Sequence, residues 1–188
     1  MITMNTAQYL EEIVSELRNT TPLISDIEAE KLMNKILESN KIFVAGAGRS
    51  GFMSKSFAMR MMHMGIDAYV VGETVTANLE KNDLLIIGSG SGETKTLVSI
   101  AEKAKSIGGT IAAITINPTS TIGQLADIVV TLPGAPKDQT EGNYYTIQPM
   151  GSLFEQTMLL FYDALILRFM EKKGLDSSKM YGKHANLE

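Results

Sequence analysis

The run Leu84-Leu85-Ile86-Ile87-Gly88-Ser89-Gly90-Ser91-Gly92-Glu93-Thr94 decides how the chain is read. Its four leading apolar residues show no polar alternation. That predicts a strand covered on both faces, as in a parallel sheet under helices. A helical pattern over residues 94–107 follows and stops at Gly108-Gly109. The loop between them is made of glycine and serine. Glycines let backbone amides converge on an anion, and the helix after the loop adds its positive N-terminal end. Ser89, Ser91 and Thr94 add hydroxyl donors without adding charge. Such a cup suits a compact dianionic phosphate monoester. A nucleotide P-loop would end in Gly-Lys-Ser/Thr, which is missing.

The same unit occurs upstream. Ile42-Phe43-Val44-Ala45 reads as a strand, Gly46-Ala47-Gly48-Arg49-Ser50-Gly51 as its loop, and residues 52–64 as a helix. Alone, this G-x-G-x-x-G reads either as a dinucleotide fingerprint, with Glu73 as the ribose acid, or as a tight turn. Further strands are expected at 68–71, 110–116 and 128–132, with a short helix at 121–126. The expected fold is an α/β three-layer sandwich. Its five-stranded parallel sheet is doubly wound in the flavodoxin-like order 2-1-3-4-5. In that order strands one and three are neighbours, so both glycine-serine loops flank one crevice. Gly48, Ser50, Ser89, Gly90, Ser91 and Thr94 then face one phosphate, with Arg49 supplying charge at its edge.

Two helices precede the sheet. The first carries Ala7, Leu10, Ile13, Val14 and Leu17 at helical spacing, and the second opens with the capping-box pattern Ser25-Asp26-Ile27-Glu28. Residues 133–149 show no pattern. A last helix over 151–173 is apolar nearly all round, and a subunit interface is the simplest way to bury its surplus. The expectation is one domain over 1–188, with N-terminal helices at 5–40, an α/β core at 41–174 and a tail at 175–188.

Composition narrows the function. The 188 residues include 17 basic and 21 acidic side chains, a net charge of −4, so nucleic acid is not an expected partner. No cysteine is present, which removes disulfides, thiol nucleophiles and thiolate metal sites. No signal peptide or membrane span is read, and the expected location is the cytoplasm.

These residues resemble the sugar isomerase (SIS) domain family, whose members bind phosphosugars. The motif Ser89-Gly90-Ser91-Gly92-Glu93-Thr94 is similar to the family's S-x-S-G-E-T phosphate loop. Gly46–Gly51, Ile116-Asn117-Pro118, residues 147–156 and the closing His184-Ala185-Asn186-Leu187-Glu188 support it. The resemblance implies a homo-oligomer, usually a tetramer, without cofactor; with two histidines far apart and no cysteine, no metal site is expected. It points to the branch that interconverts D-arabino-3-hexulose 6-phosphate and fructose 6-phosphate through a cis-enediol, in the ribulose monophosphate route of formaldehyde fixation. The alternatives are another phosphosugar aldose–ketose isomerase and a phosphosugar sensor without catalysis. The resemblance makes Glu155 the base, and His184 an acid/base helper reaching a neighbouring subunit's site. Read from the residues alone, Ser152-Leu153-Phe154-Glu155 is also a capping box, in which Glu155 closes a helix start. Glu93 is either a substrate-positioning group or an acid complementing the helix dipole. His63 reads as a structural cation at a helix C-terminus.

Overall fold

Alternation along the strands produces the layers. The computed structural model describes residues 4–135, 146–184 and 186–187. Its five strands are β1 (Ile42–Gly46), β2 (Ala68–Val70), β3 (Leu84–Gly88), β4 (Thr110–Thr115) and β5 (Ile128–Thr131). They form one sheet in the expected order β2-β1-β3-β4-β5, and every neighbouring pair is parallel. Ile42, Val44, Leu84, Ile86, Ala112 and Ile114 turn to one face. There they pack with Leu32, Met33 and Ile36 of α2 (Asp26–Glu38), Phe57 and Met61 of α3 (Gly48–His63), and Phe154, Met158 and Leu165 of α6 (Ser152–Lys173). Phe43, Ala45, Leu85, Ile87, Ile111 and Ala113 turn to the other face. They meet Leu97, Ala101 and Ala104 of α4 (Lys95–Ile107) and Ile122 of α5 (Thr121–Leu125). Each large apolar side chain buried this way contributes roughly 1.5–3 kcal/mol, which outweighs strand propensity and explains the lack of alternation.

The helix after β1 covers one face and the helix after β3 the other, so the chain diverges between these two strands. Their register runs from Ile42 opposite Leu84 to Gly46 opposite Gly88. The two glycine-serine loops therefore leave the sheet level with each other, about 4.8 Å apart.

Some boundaries differ from expectation. α3 begins at Gly48 rather than 52, with the Gly51 amide already bonded to the Ala47 carbonyl at 3.2 Å. Its first turn is glycine and polar because it lies against β1: a Cβ on Gly51 would stand 2.7 Å from the Gly46 carbonyl oxygen. The apolar helical signal thus starts a turn late. At α2 only half of the capping box forms. Ser25 accepts from the Glu28 amide at 3.3 Å, while the Glu28 carboxylate accepts from the Thr131 amide of β5 at 2.8 Å. α1 (Thr6–Thr20) leaves Leu10 and Val14 exposed, and α6 leaves Leu160 and Leu167 exposed. In the tail residues a short helix, α7 (Ser177–Tyr181), follows α6. Among the described residues no helix is long and apolar enough to cross a membrane.

Candidate active site

α6 enters over the carboxyl end of β3. A Cβ on Gly88 would lie 2.8 Å from Met158 Sδ and 2.9 Å from Ser54 Oγ, and one on Gly134 would lie 2.7 Å from Phe154 Cβ. The approach is this close only because glycine stands at those positions. Phe57 of α3 stacks on Tyr162 of α6 with ring centroids 4.2 Å apart and planes 4° from parallel, locking the two helices together. The first turn of α6 is thereby brought against the first turn of α3.

Arg49 bridges the two turns. Its Nε stands 3.1 Å from Glu155 Oε2, and its NH1 donates to Ser152 Oγ at 3.1 Å. The Glu155 side chain is only 10 % exposed, whereas that of Arg49 is 56 % exposed, so the carboxylate lies inside the protein and the guanidinium reaches the surface. The helix-cap alternative for Glu155 does not describe this geometry. Gly151 is the N-cap of α6 and makes no side-chain cap, Ser152 lies inside the helix, and the Glu155 carboxylate faces Arg49.

The second loop is shaped by its own hydroxyls. Buried Ser89 accepts from the Gly92 amide at 3.2 Å, and exposed Ser91 accepts from the Glu93 amide at 3.2 Å. Gly92 has φ +65°, which L side chains rarely adopt, and turns the chain toward α4. Gly90 lies under Phe154. Thr94 is the N-cap of α4 and its hydroxyl makes no cap bond. In the first loop Gly48 has φ +56° and is exposed, and Ser50 lies in the first turn of α3 with its carbonyl accepting from Ser54 Oγ at 3.1 Å. β1 and β3 thus bring Gly48, Arg49, Ser50, Ser89, Gly90, Ser91 and Thr94 to one end of the sheet.

Two side chains read from sequence have their partners elsewhere. Glu93 is exposed, and its carboxylate accepts from the Thr121 amide at 2.7 Å and the Thr121 hydroxyl at 2.8 Å. Those two bonds, the amide first, hold its pKa below the usual carboxylate range against a small opposing effect of burial. It ties the second loop to the start of α5. His184 lies at the opposite end of α3 from Arg49, stacked on His63 with centroids 5.2 Å apart. Burial of His63, then the nearby Arg60 and His184 charges, push its pKa down. The structure therefore does not unite His184 with Glu155 inside one chain. Glu73 pairs with Lys55 at 2.6 Å. Among the described residues no group of three or more His, Asp or Glu side chains gathers as metal ligands would. A cavity of about 430 Å³ opens at the other end of the sheet, lined by Ile36, Asn40, Met64, Asp67 and Lys173 among others, away from Arg49 and Glu155.

Sequence reasoning missed Ser152 as a partner of Arg49. The signal was present as a serine three residues before Glu155, and its reading as a cap obscured it.

The model of the SIS domain family matches residues 35–160. The chain is 62 % identical over 185 residues to a 3-hexulose-6-phosphate isomerase of Bacillus subtilis (strain 168), covering 98 % of this chain and 100 % of that one. It is 37 % identical to the 3-hexulose-6-phosphate isomerase of Mycobacterium gastri, over 95 % of this chain and 89 % of the other. A hypothetical protein of Methanococcus jannaschii, whose crystal structure infers a molecular function of 3-hexulose-6-phosphate isomerase, superposes with a TM-score of 0.83 at 34 % identity, over 96 % of this chain and 99 % of that chain. With the doubly wound sheet, the paired glycine-serine loops and relatives aligned over nearly their whole length, the chain belongs to the SIS domain family.

Proposed function

We propose that this chain interconverts D-arabino-3-hexulose 6-phosphate and fructose 6-phosphate, with Glu155 as the base. The protein is a phosphosugar isomerase, as are the relatives it matches by name. The reaction moves a carbonyl from C3 to C2. A base takes the proton from C2, the freed pair makes the C2–C3 double bond while the C3 carbonyl π pair moves to O3, the O2 hydroxyl proton passes to O3 through the cis-enediol, and the proton returns to C3 as the carbonyl forms at C2. Electrons stay within the carbon skeleton, so no redox partner enters the balance. The second loop and the N-terminal end of α4 would hold the phosphate through Ser89, Gly90, Ser91 and Thr94, with Gly48 and Ser50 completing the cup. Arg49 would stabilise the developing enediolate oxygen or the phosphate at the cleft mouth. Phosphate binding energy would then hold the reacting carbons against Glu155.

One observation carries this reading: a largely buried carboxylate paired to a guanidinium where two in-register glycine-serine loops meet. Glu155→Gln tests it. Turnover should fall by about 10³-fold or more while fructose 6-phosphate still binds, since one removed general base is worth roughly 10²–10⁴. Turnover near that of the wild type would show that Glu155 is not the base.

The exposed Leu10, Val14, Leu160 and Leu167 support self-association, with a tetramer as the expected state. We also propose that His184 assists from a neighbouring subunit. Mixing inactive Glu155→Gln with His184→Ala subunits tests the sharing: recovered activity supports it, and none recovered would count against it. The expected setting is the cytoplasm, where sugar phosphates, dianions that do not cross membranes unaided, are made and consumed.

A further inference from the structure

Glu16 of α1 receives three hydrogen bonds from a segment 130 or more residues away in sequence. The Thr146 hydroxyl donates to Oε2 at 2.6 Å, the Ile147 amide to Oε1 at 2.8 Å, and the Gln148 side-chain amide to Oε2 at 2.8 Å. The Gln148 backbone amide also donates to Thr146 Oγ1 at 3.0 Å. Thr146 and Gln148 are buried. Burial pushes the Glu16 carboxyl up, but the three donors outweigh it and hold the pKa below the ordinary value, so the group is ionised at neutral pH. From Gln148 the chain passes Pro149, Met150 and Gly151 and enters α6. Met150 has φ 58°, a conformation that costs a non-glycine residue about 1–3 kcal/mol and persists only where the surroundings enforce it. The Ser152 amide closes this turn on the Pro149 carbonyl at 3.2 Å. Within the next turn stand Ser152 and Glu155, the two residues that Arg49 engages.

We infer that Glu16 is a positioning residue for the proposed isomerase: its carboxylate pins residues 146–148, fixes where α6 begins, and so sets where the Glu155 carboxylate stands. The inference rests on Glu155 being the base. One end of the strained turn is held by α6, whose Phe154 is packed against Gly134; the other end is held by Glu16. Displacement of a reacting group by about 1 Å can cost up to 10²-fold in rate, so a contact outside the cleft can govern turnover. The phosphate cup belongs to β1 and β3 and does not depend on this tether.

Glu16→Gln tests it, because an amide presents an NH₂ to at least one of the three donors. Expected is a fall in kcat of about 10-fold or more, with KM for fructose 6-phosphate and the inhibition constant of inorganic phosphate each within about 3-fold of the wild type. Thr146→Val removes one donor and should lower kcat less. The double variant should lose no more than Glu16→Gln alone, since both act through one segment. A purely stabilising Glu16 would lower Tm and leave kcat per folded site unchanged, and that result overturns the inference. Should Glu16→Gln fail to fold, an unchanged kcat in Thr146→Val overturns it equally. Wild-type kcat in Glu16→Gln beside an inactive Glu155→Gln sinks the positioning role alone; an active Glu155→Gln sinks the base assignment and this inference together.

Discussion

The two glycine-serine loops look alike in sequence and are built differently. In the first, glycine packs on glycine: Gly51 rides against the Gly46 carbonyl, and the contact is backbone to backbone. That draws the start of α3 down onto β1 and presents Arg49 to Glu155. In the second, glycines lie under side chains, Gly90 below Phe154 and Gly92 beside Ser120, while Ser89 and Ser91 bond the loop's own amides. The first loop brings a charge to the Glu155 carboxylate; the second offers a frame of uncharged hydroxyls. On this reading the first governs turnover and the second governs phosphate binding.

Gly92→Ala should produce the largest loss of stability. An added Cβ would fall 1.9 Å from Ser120 Oγ and 2.5 Å from Ser120 Cβ, at φ +65°. Ser120 caps α5 by accepting from the Gly123 amide at 3.2 Å, so the substitution also threatens that cap. Left-handed strain and a weakened cap sum to roughly 3 kcal/mol. Thermal or urea unfolding measures that loss, and inhibition by inorganic phosphate should weaken by 10-fold or more in the folded fraction. Gly51→Ala comes next, at about 2 kcal/mol for overpacking against a backbone that cannot yield. It should lower kcat more than it raises KM, because it lifts Arg49 off α6. If both variants change the same kinetic parameter, the division between the loops is wrong. Ser91→Ala is milder. Loss of one exposed donor, about 1 kcal/mol, should raise KM roughly 5-fold with kcat unchanged in steady-state assays.

Much of this was legible in sequence for physical reasons. β1 and β3 were readable because a strand buried on both faces needs no polar alternation, and the strand order was read as the common doubly wound one for alternating strands and helices. The start of α3 was misread because Gly46, Gly48 and Gly51 carry a loop's composition, although Gly51 serves a close helix–strand contact. Glu155 was ambiguous because Ser-Leu-Phe-Glu fits a cap, and a shift of one residue in the helix start, to Gly151 as N-cap, turns Ser152 toward Arg49. Glu16 was invisible because its partners are donors 130 or more residues away, and nothing local in α1 marks the contact. The stacking of His184 on His63 was hidden for the same reason.

The smallest expected effect separates the acids associated with the two loops. Glu155 faces the first loop through Arg49, whereas Glu93 belongs to the second and is held by Thr121. The Glu93 pKa is depressed in the folded protein, so the stability it contributes is fully present above its unfolded value and is lost as pH falls through the lower, folded one. Glu93→Gln keeps one acceptor oxygen but carries no charge. The wild type should therefore melt slightly above the variant at pH 7, with the gap closing as the pH drops below the usual carboxylate range. Turnover of Glu93→Gln at pH 7 should stay close to wild type, because its carboxylate is engaged by Thr121 at the start of α5. A gap in Tm that does not change with pH would remove the tie to Thr121. A large fall in kcat would return Glu93 to the substrate, and with it the claim that the second loop acts on binding alone would fail.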